Sequence, residues 1–367
     1  MDEYQSFSTV ERSLMARASA VKAPISGSME LLPLCNMNCK MCYVRLSPEE
    51  MKRQGNLHTW EEWLEAGRQM QRSGVLFLLL TGGEPLIFPE FRKLYLELRK
   101  LGFVLTINTN GTLIDEEWAD FFAKYKPRRI NITLYGASRE SYGDLCGYPQ
   151  GFDRVTNAVR MLRQRKVDVK LSTSVTPENV RDLEKMFAIA RELEVPMGVD
   201  TYMMPASRER ELPFSQQSRL GPEEAARARV QAMKLEWPED FPEYARRQIL
   251  EADMFVPESA EPRPVTCHAG NCAFSVNWQG QLHPCVILTE PSVNIFERGF
   301  QAAWEYLVKG MAPIRLHPDC SVCNLQGLCR TCAASALLEG GSYDAKPEYM
   351  CRYASETLRL LREEIHG

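Results

Sequence analysis

The sequence predicts an α/β chain, a partial (β/α)6 TIM-like barrel followed by a small cysteine-rich domain. Three observations carry that prediction. From Ser28 to about Tyr202, short apolar runs alternate with segments of helical period, as in repeated βα units around a parallel sheet. The run VLFLLLT (75–81) lacks apolar–polar alternation, which marks a strand covered on both faces. From Thr266 to Cys351 the periodicity stops, and eight of the twelve cysteines fall in that stretch.

The elements follow in order. Residues 1–27 form an N-terminal segment whose start, MDEYQSFSTV, is acidic and is not followed by the apolar run of a secretory signal. Strands are expected at 28–34, 75–81, 103–109, 129–135, 169–175 and 196–203. Helices are expected at 59–74, 89–102, 114–125, 151–166 and 177–194, several closed by Gly or Pro signals. The basic helix within 151–166 reads as a solvated face, with an acidic peptide as its other possible contact. Right-handed crossovers between such strands give a curved, partly open barrel, with the active site at the carboxyl ends of the strands. Residues 28–204 are that barrel, 205–264 a helical connector, 265–352 the cysteine-rich domain and 353–367 a final helix.

With 44% hydrophobic and 25% charged residues and a net charge of -4, the composition is that of a globular protein. No strongly basic region points to nucleic acid, and no run of about 18 apolar residues points to a membrane span. The expected location is cytoplasmic. In a reducing compartment, twelve cysteines suggest metal or redox chemistry rather than disulfides.

Three motifs carry chemistry. Cys35, Cys39 and Cys42 fall in the loop after the first strand, which is drawn to Leu34. Three thiols leave one coordination position of a metal centre open, where a small molecule can bind and react. Taken alone, the cluster also fits a zinc or redox site. The second strand runs into TGGEP, where Gly82 and Gly83 allow a ligand to approach the backbone and Glu84 adds a carboxylate before Pro85. Alone, that is equally a simple turn. The distal cysteines run Cys267-x4-Cys272-x12-Cys285, then Cys320-x2-Cys323-x5-Cys329-x2-Cys332, then Cys351; by themselves the CxxC pairs also suit zinc.

The first two motifs, in this order, resemble the radical S-adenosylmethionine (radical SAM) superfamily. The resemblance implies that Cys35, Cys39 and Cys42 hold a [4Fe-4S] cluster whose fourth iron is chelated by SAM, and that Gly82 to Pro85 receive the methionine amine. A reduced cluster then splits SAM into methionine and a 5'-deoxyadenosyl radical, which abstracts an unactivated hydrogen. Met41 stands where the family usually has an aromatic residue, and Tyr43 lies on the other side of Cys42 as a candidate adenine neighbour. Further candidate SAM contacts at strand ends are Asn110, Thr133 and Ser172 to Ser174, with Arg154 as a carboxylate partner; each is also explained as a polar residue solvating a strand end.

The distal pattern, with Gly280 between Cys267 and Cys285, is similar to the SPASM domain, which binds two auxiliary [4Fe-4S] clusters. The resemblance assigns Cys267, Cys272, Cys285 and Cys332 to one cluster and Cys320, Cys323, Cys329 and Cys351 to the other. The spacing between Cys329 and Cys332 is one residue shorter than the commonest form. Closed clusters suit electron transfer, so the implied reaction is a net oxidation. Cys146, left over, reads either as a buried inert thiol or as a catalytic hydrogen-atom or proton donor at the barrel mouth, as an epimerase needs.

SPASM enzymes mostly act on peptides or protein side chains. Val286 follows Cys285, where sulfatase-maturing enzymes carry a carboxylate base, and only 34 residues precede Cys35, where many crosslinking relatives carry a leader-binding domain. The expectation is therefore a maturase of a ribosomal peptide, making a thioether or other crosslink. It would be assisted by a separate leader-binding protein and a flavodoxin- or ferredoxin-type reductant. Formylglycine formation and peptide epimerisation are the alternatives. A non-catalytic iron-sulfur electron carrier is the reading from a different class.

Overall fold

The computed structural model describes residues 9–204, 208–210, 218–257, 259–329 and 332–366. Helix α1 (Thr9–Ala20) leads into β1 (Ser26–Glu30), and α2 (Pro48–Gln54) and α3 (Trp60–Arg72) precede β2 (Phe77–Thr81). Then come α4 (Phe91–Lys100), β3 (Val104–Thr109), α5 (Glu116–Lys124), β4 (Arg129–Thr133), α6 (Arg139–Cys146), α7 (Gly151–Gln164), β5 (Val169–Ser174), α8 (Leu183–Glu192) and β6 (Met197–Asp200). Helices α9 (Pro222–Glu236) and α10 (Phe241–Asp253) follow. The cysteine-rich region adds β7 (Ala273–Val276), β8 (Gln281–His283), β9 (Val293–Asn294), α11 (Ile295–Arg298), α12 (Phe300–Met311), α13 (Pro318–Ser321), α14 (Ala333–Gly340) and α15 (Glu348–His366).

One sheet of nine strands runs in the order β6-β5-β4-β3-β2-β1-β7-β8-β9 and does not close. Strands β1 to β6 are parallel, as the repeated βα pattern requires. Capping boxes start α2 and α3: Ser47 and Thr59 each accept the N–H of a glutamate three residues on, and that glutamate answers their own N–H. Outward-facing Leu78, Leu80, Ile107, Ile130, Ile132 and Leu171 are buried beneath the helices. The inner face is polar: Ser28 bonds Ser275 at 2.8 Å, and the Asn131 amide donates to Asn108 at 2.8 Å. Ser26, Thr106, Asn108, Asn131 and Ser172 help line a cavity of about 320 Å³ within the curve of the sheet.

Four details differ from the sequence expectations. Strand β1 ends at Glu30, not Leu34: Pro33 has no N–H for a ladder, and the carbonyls of Leu32 and Leu34 accept instead from Gly83 and Glu84. Helices α1, α2 and α6, not assigned from sequence, are real elements. The final helix starts at Glu348, so Cys351 lies on it. Strand β7 pairs in parallel with β1, Ser26 to Met29 against Ala273 to Val276, so the cysteine-rich region continues the barrel sheet. Part of the connector read from sequence, 205–207 and 211–217, lies outside the described residues. Among the described residues, no helix is long and apolar enough to cross a membrane.

The β1–β7 junction depends on Gly27. A Cβ there would lie 2.2 Å from the Phe274 ring, which is itself packed on Phe300 with centroids 4.9 Å apart. Gly27→Ala should therefore lower stability by about 1–3 kcal/mol, the usual cost of overpacking. Combining it with Phe274→Leu should return part of that loss relative to Phe274→Leu alone, as thermal denaturation of the four proteins would show.

Candidate active site at the barrel mouth

The loop after β1 carries Cys35, Cys39 and Cys42 to the carboxyl end of the sheet, over the β2 turn. The turn is pressed against the end of the first strand segment: Gly83 donates to the Leu32 carbonyl at 2.7 Å and Glu84 to the Leu34 carbonyl at 2.9 Å. A Cβ on Gly83 would lie 2.3 Å from the Leu34 carbonyl oxygen, and one on Gly82 2.6 Å from that of Leu32. The paired glycines are thus required by chain packing as well as by any ligand.

Glu84 is fully buried and committed to protein. One carboxylate oxygen accepts from the Leu86 N–H at 3.1 Å and the Thr109 hydroxyl at 2.7 Å; the other accepts from the Asn110 N–H at 2.8 Å. It therefore ties the ends of β2 and β3 together, and Pro85 opens the short turn that follows. Asn110 in turn reaches the cysteine loop, its amide donating to the Asn36 side chain at 2.9 Å and toward the Cys35 sulfur at 3.6 Å.

The sulfurs are met by donors. Met37 N–H points at Cys35 (3.4 Å) and Arg45 N–H at Cys42 (3.3 Å). Cys39 has the Cys146 and Tyr135 side chains as neighbours, and they hold its thiol below the usual value against the effect of burial. Burial pushes the Cys35 thiol up to about 12, so its thiolate needs a positive partner such as iron. Donors aimed at the Cys35 and Cys42 sulfurs fit a cluster held through thiolates.

The remaining candidates lie at unequal distances from this loop. Thr133 ends β4 beside Ser172 of β5, above the polar cavity. Tyr43 has the Arg208 guanidinium 5.3 Å from its ring centroid, and Arg208 forms a buried ion pair with Glu30 at 2.6 Å. Arg154 is exposed on α7, its guanidinium 3.4 Å from the Thr112 carbonyl. Cys146 is fully buried beneath the cysteine loop rather than open to the mouth. Tyr135, Asn36 and Arg208 were missed from sequence. Tyr135 was within reach, because it follows Thr133 by two residues and so falls on the same face of an extended chain.

The distal cysteines gather in two places. Cys320, Cys323, Cys329 and Cys351 line one cavity of about 90 Å³, with Arg263 and Lys346 at its wall. Cys267 neighbours Cys285 and Cys332. It also neighbours Cys272, which is packed between α1 and the start of β2. Here too N–H groups meet sulfur: Leu288 at Cys285 (3.2 Å), Leu325 at Cys323 (3.4 Å) and Ser335 at Cys332 (3.5 Å). Cys332 also caps the N-terminus of α14. Among the described residues, no three His, Cys, Asp or Glu side chains close on a single-ion site, whereas thiols spread around a cavity suit the corners of an iron-sulfur cube.

Comparison with known proteins agrees with this geometry. Residues 29–190 match the model of the Radical SAM superfamily. The chain is 25% identical over 348 residues to AdoMet-dependent heme synthase of Methanosarcina barkeri, covering 90% of this chain and 97% of that protein. It is 23% identical over 326 residues to the antilisterial bacteriocin subtilosin biosynthesis protein AlbA of Bacillus subtilis, covering 86% of this chain and 68% of that one. Among solved structures, Streptococcus suis SuiB bound to its precursor peptide SuiA matches with a TM-score of 0.68 at 16% identity, over 95% of this chain and 82% of SuiB.

Glu84 gives a pH test. Burial pushes its carboxyl from 4.5 up to about 7, against the pull of its three donors. A carboxyl raised on folding takes up a proton on folding between those values, so its contribution to stability grows as pH falls through that window and is lost above about 7. The melting temperature of the parent, relative to Glu84→Gln, should rise between pH 8 and pH 5, by the equivalent of up to about 3 kcal/mol. A constant difference would show that Glu84 stays ionised.

Proposed function

We propose, on the premise that its radical SAM domain makes this chain an enzyme, that it oxidatively modifies a ribosomally synthesised peptide, forming a thioether or other crosslink at an unactivated carbon. The observation that carries the reading is the gathering of the eight distal cysteines into two sets, one of them around a single cavity. In this reading Cys35, Cys39 and Cys42 hold the SAM-binding cluster, and the eight hold two auxiliary clusters. Bound together, cluster and SAM supply a hydrogen-abstracting 5'-deoxyadenosyl radical.

The chain's own residues do the rest. The Gly82–Gly83 backbone and Glu84 fix the floor of the site, Asn110 holds the cysteine loop to that floor, and Thr133, Ser172, Tyr43 and Arg154 offer polar and ring contacts to SAM. The two distal cysteine sets would hold closed clusters able to accept a second electron from the substrate, which would give net loss of two hydrogens. A peptide is supported by AlbA, named for bacteriocin biosynthesis, and by SuiB, seen with its precursor peptide. A separate leader-binding protein, a flavodoxin- or ferredoxin-type reductant and a cytoplasmic location belong to the same reading. Haem formation is a second reading, favoured by the near full-length match to heme synthase.

Anaerobic incubation with SAM, reductant and the peptides encoded beside the gene should lower a peptide mass by two hydrogens per crosslink and release 5'-deoxyadenosine. An unchanged mass with deuterium uptake from heavy water would indicate an epimerase, and haem from an iron porphyrin precursor would establish the second reading. Absence of 5'-deoxyadenosine from a fully reconstituted sample would sink both.

The reconstituted chain should hold about twelve irons, and Cys351→Ala combined with Cys320→Ala about eight. Iron and sulfide analysis measures this directly.

A further inference from the structure

We infer that Arg208 is the positioning residue that couples the two halves of the reaction. It ties the turn bearing Cys285 to the strand that enters the loop of Cys35, Cys39 and Cys42, and so sets how often a hydrogen abstraction ends in product. The inference rests on the reading that these cysteines hold iron-sulfur clusters and that the reaction is a net oxidation. It applies equally to a peptide and to a porphyrin substrate.

Both sets of cysteines stand beyond the ends of strands. Strand β1 stops at Glu30, before the cysteine loop, and β8 stops at His283, two residues before Cys285. The sheet therefore fixes where each segment starts and not where its cysteines come to rest. Arg208 bridges the two. Its Nη1 donates to Glu30 Oε1 at 2.9 Å and to the Val286 carbonyl at 3.0 Å. Its Nη2 donates to Glu30 Oε2 at 2.6 Å and to the Glu209 carboxylate at 2.7 Å. One guanidinium thus joins the last residue of β1 to the residue after Cys285. The same short segment grips the cysteine loop itself: the Arg210 N–H donates to the Tyr43 carbonyl at 3.1 Å, and its guanidinium to the Cys39 carbonyl at 3.0 Å.

The Arg208 and Glu30 side chains are 3% and 2% exposed, so water does not loosen this bridge. Each terminal nitrogen of Arg208 carries two N–H groups, and all four are used. A lysine ammonium is a point charge without that planar fork, and it cannot hold both Glu30 oxygens and reach Val286 as well.

The chemistry gives the bridge its purpose. The substrate loses a hydrogen atom to the 5'-deoxyadenosyl radical, then an electron to an oxidised cluster at Cys285 and a proton to water, two hydrogens in all. If the turn of Cys285 drifts, the substrate radical instead takes an electron from the added reductant and a proton from water. It is then returned unmodified, and the 5'-deoxyadenosine is spent without product.

The test compares the parent with Arg208→Lys, which keeps a positive charge opposite Glu30 and gives up the fork. Each is reconstituted and supplied with SAM, reductant and whichever of the peptides encoded beside the gene or the iron porphyrin precursor the parent converts. Product per 5'-deoxyadenosine should fall roughly tenfold at unchanged iron content, the effect of about one charge-assisted hydrogen bond. Slower SAM cleavage or less folded enzyme does not move this ratio. In heavy water, the returned substrate should carry deuterium. Without any turnover, amide hydrogen exchange at 284–289 should be faster than in the parent and that of β7 unchanged. Arg208→Gln combined with Glu30→Gln, which removes both charges together, is the second variant and should show the same loss. A parent-like ratio at full iron content would overturn the coupling role, and loss of iron from both variants would overturn it by making Arg208 a structural residue. A parent that releases no 5'-deoxyadenosine would overturn the reading beneath it, and exchange at 284–289 would still decide whether Arg208 holds the turn.

Discussion

The barrel mouth depends on one buried carboxylate. Glu84 has no contact with solvent, yet it accepts three hydrogen bonds, one from the turn after β2 and two from the end of β3. An unpaired carboxylate in that position would cost several kcal/mol, and its partners would be left as orphaned donors. The arrangement is thus all or nothing, and it fixes the height at which the two strands end. The cysteine loop is laid on that level surface, with Asn110 as the link between them.

A second constraint follows from the sheet. Because β7 pairs directly with β1, the strand that leads into the cysteine loop is also the strand that receives the distal hairpin. Gly27 and Phe274 interlock at that seam. The distal cysteines are therefore referenced to the barrel through backbone hydrogen bonds rather than through a flexible linker. A shared sheet thus fixes the separation between the distal cysteines and the barrel mouth.

Much of this was legible in the sequence, for identifiable reasons. The six parallel strands were found because short apolar stretches alternate with segments of helical period; β2 is an uninterrupted apolar run, whereas β3, β4 and β5 alternate buried apolar with inward polar residues. The cysteine sets were implied by the resemblance to the SPASM domain, and the structure brings Cys320, Cys323, Cys329 and Cys351 around one cavity. Helix α1 escaped because it buries only Met15 and Ala18 and so shows little periodicity. Strand β7 escaped because four residues, AFSV, carry no topology: nothing local says which edge they join. Cys146 was singled out from sequence, but its neighbour Tyr135 was not, because the two meet near Cys39 only through the folded α6 and the β4 end.

Helix α15 combines two duties that are separate in sequence. It carries Cys351 to the distal cavity, and it packs on α9 and the end of β6, where the Tyr353 and Thr201 hydroxyls meet at 2.8 Å. On the ribosome it emerges after every other helix described here, so the barrel cannot acquire that wall while it is being made. On the proposed ligand assignment, Cys351 would join its set only once that wall closes. The face of α9 and the end of β6 that α15 covers are therefore the last part of this wall to be buried.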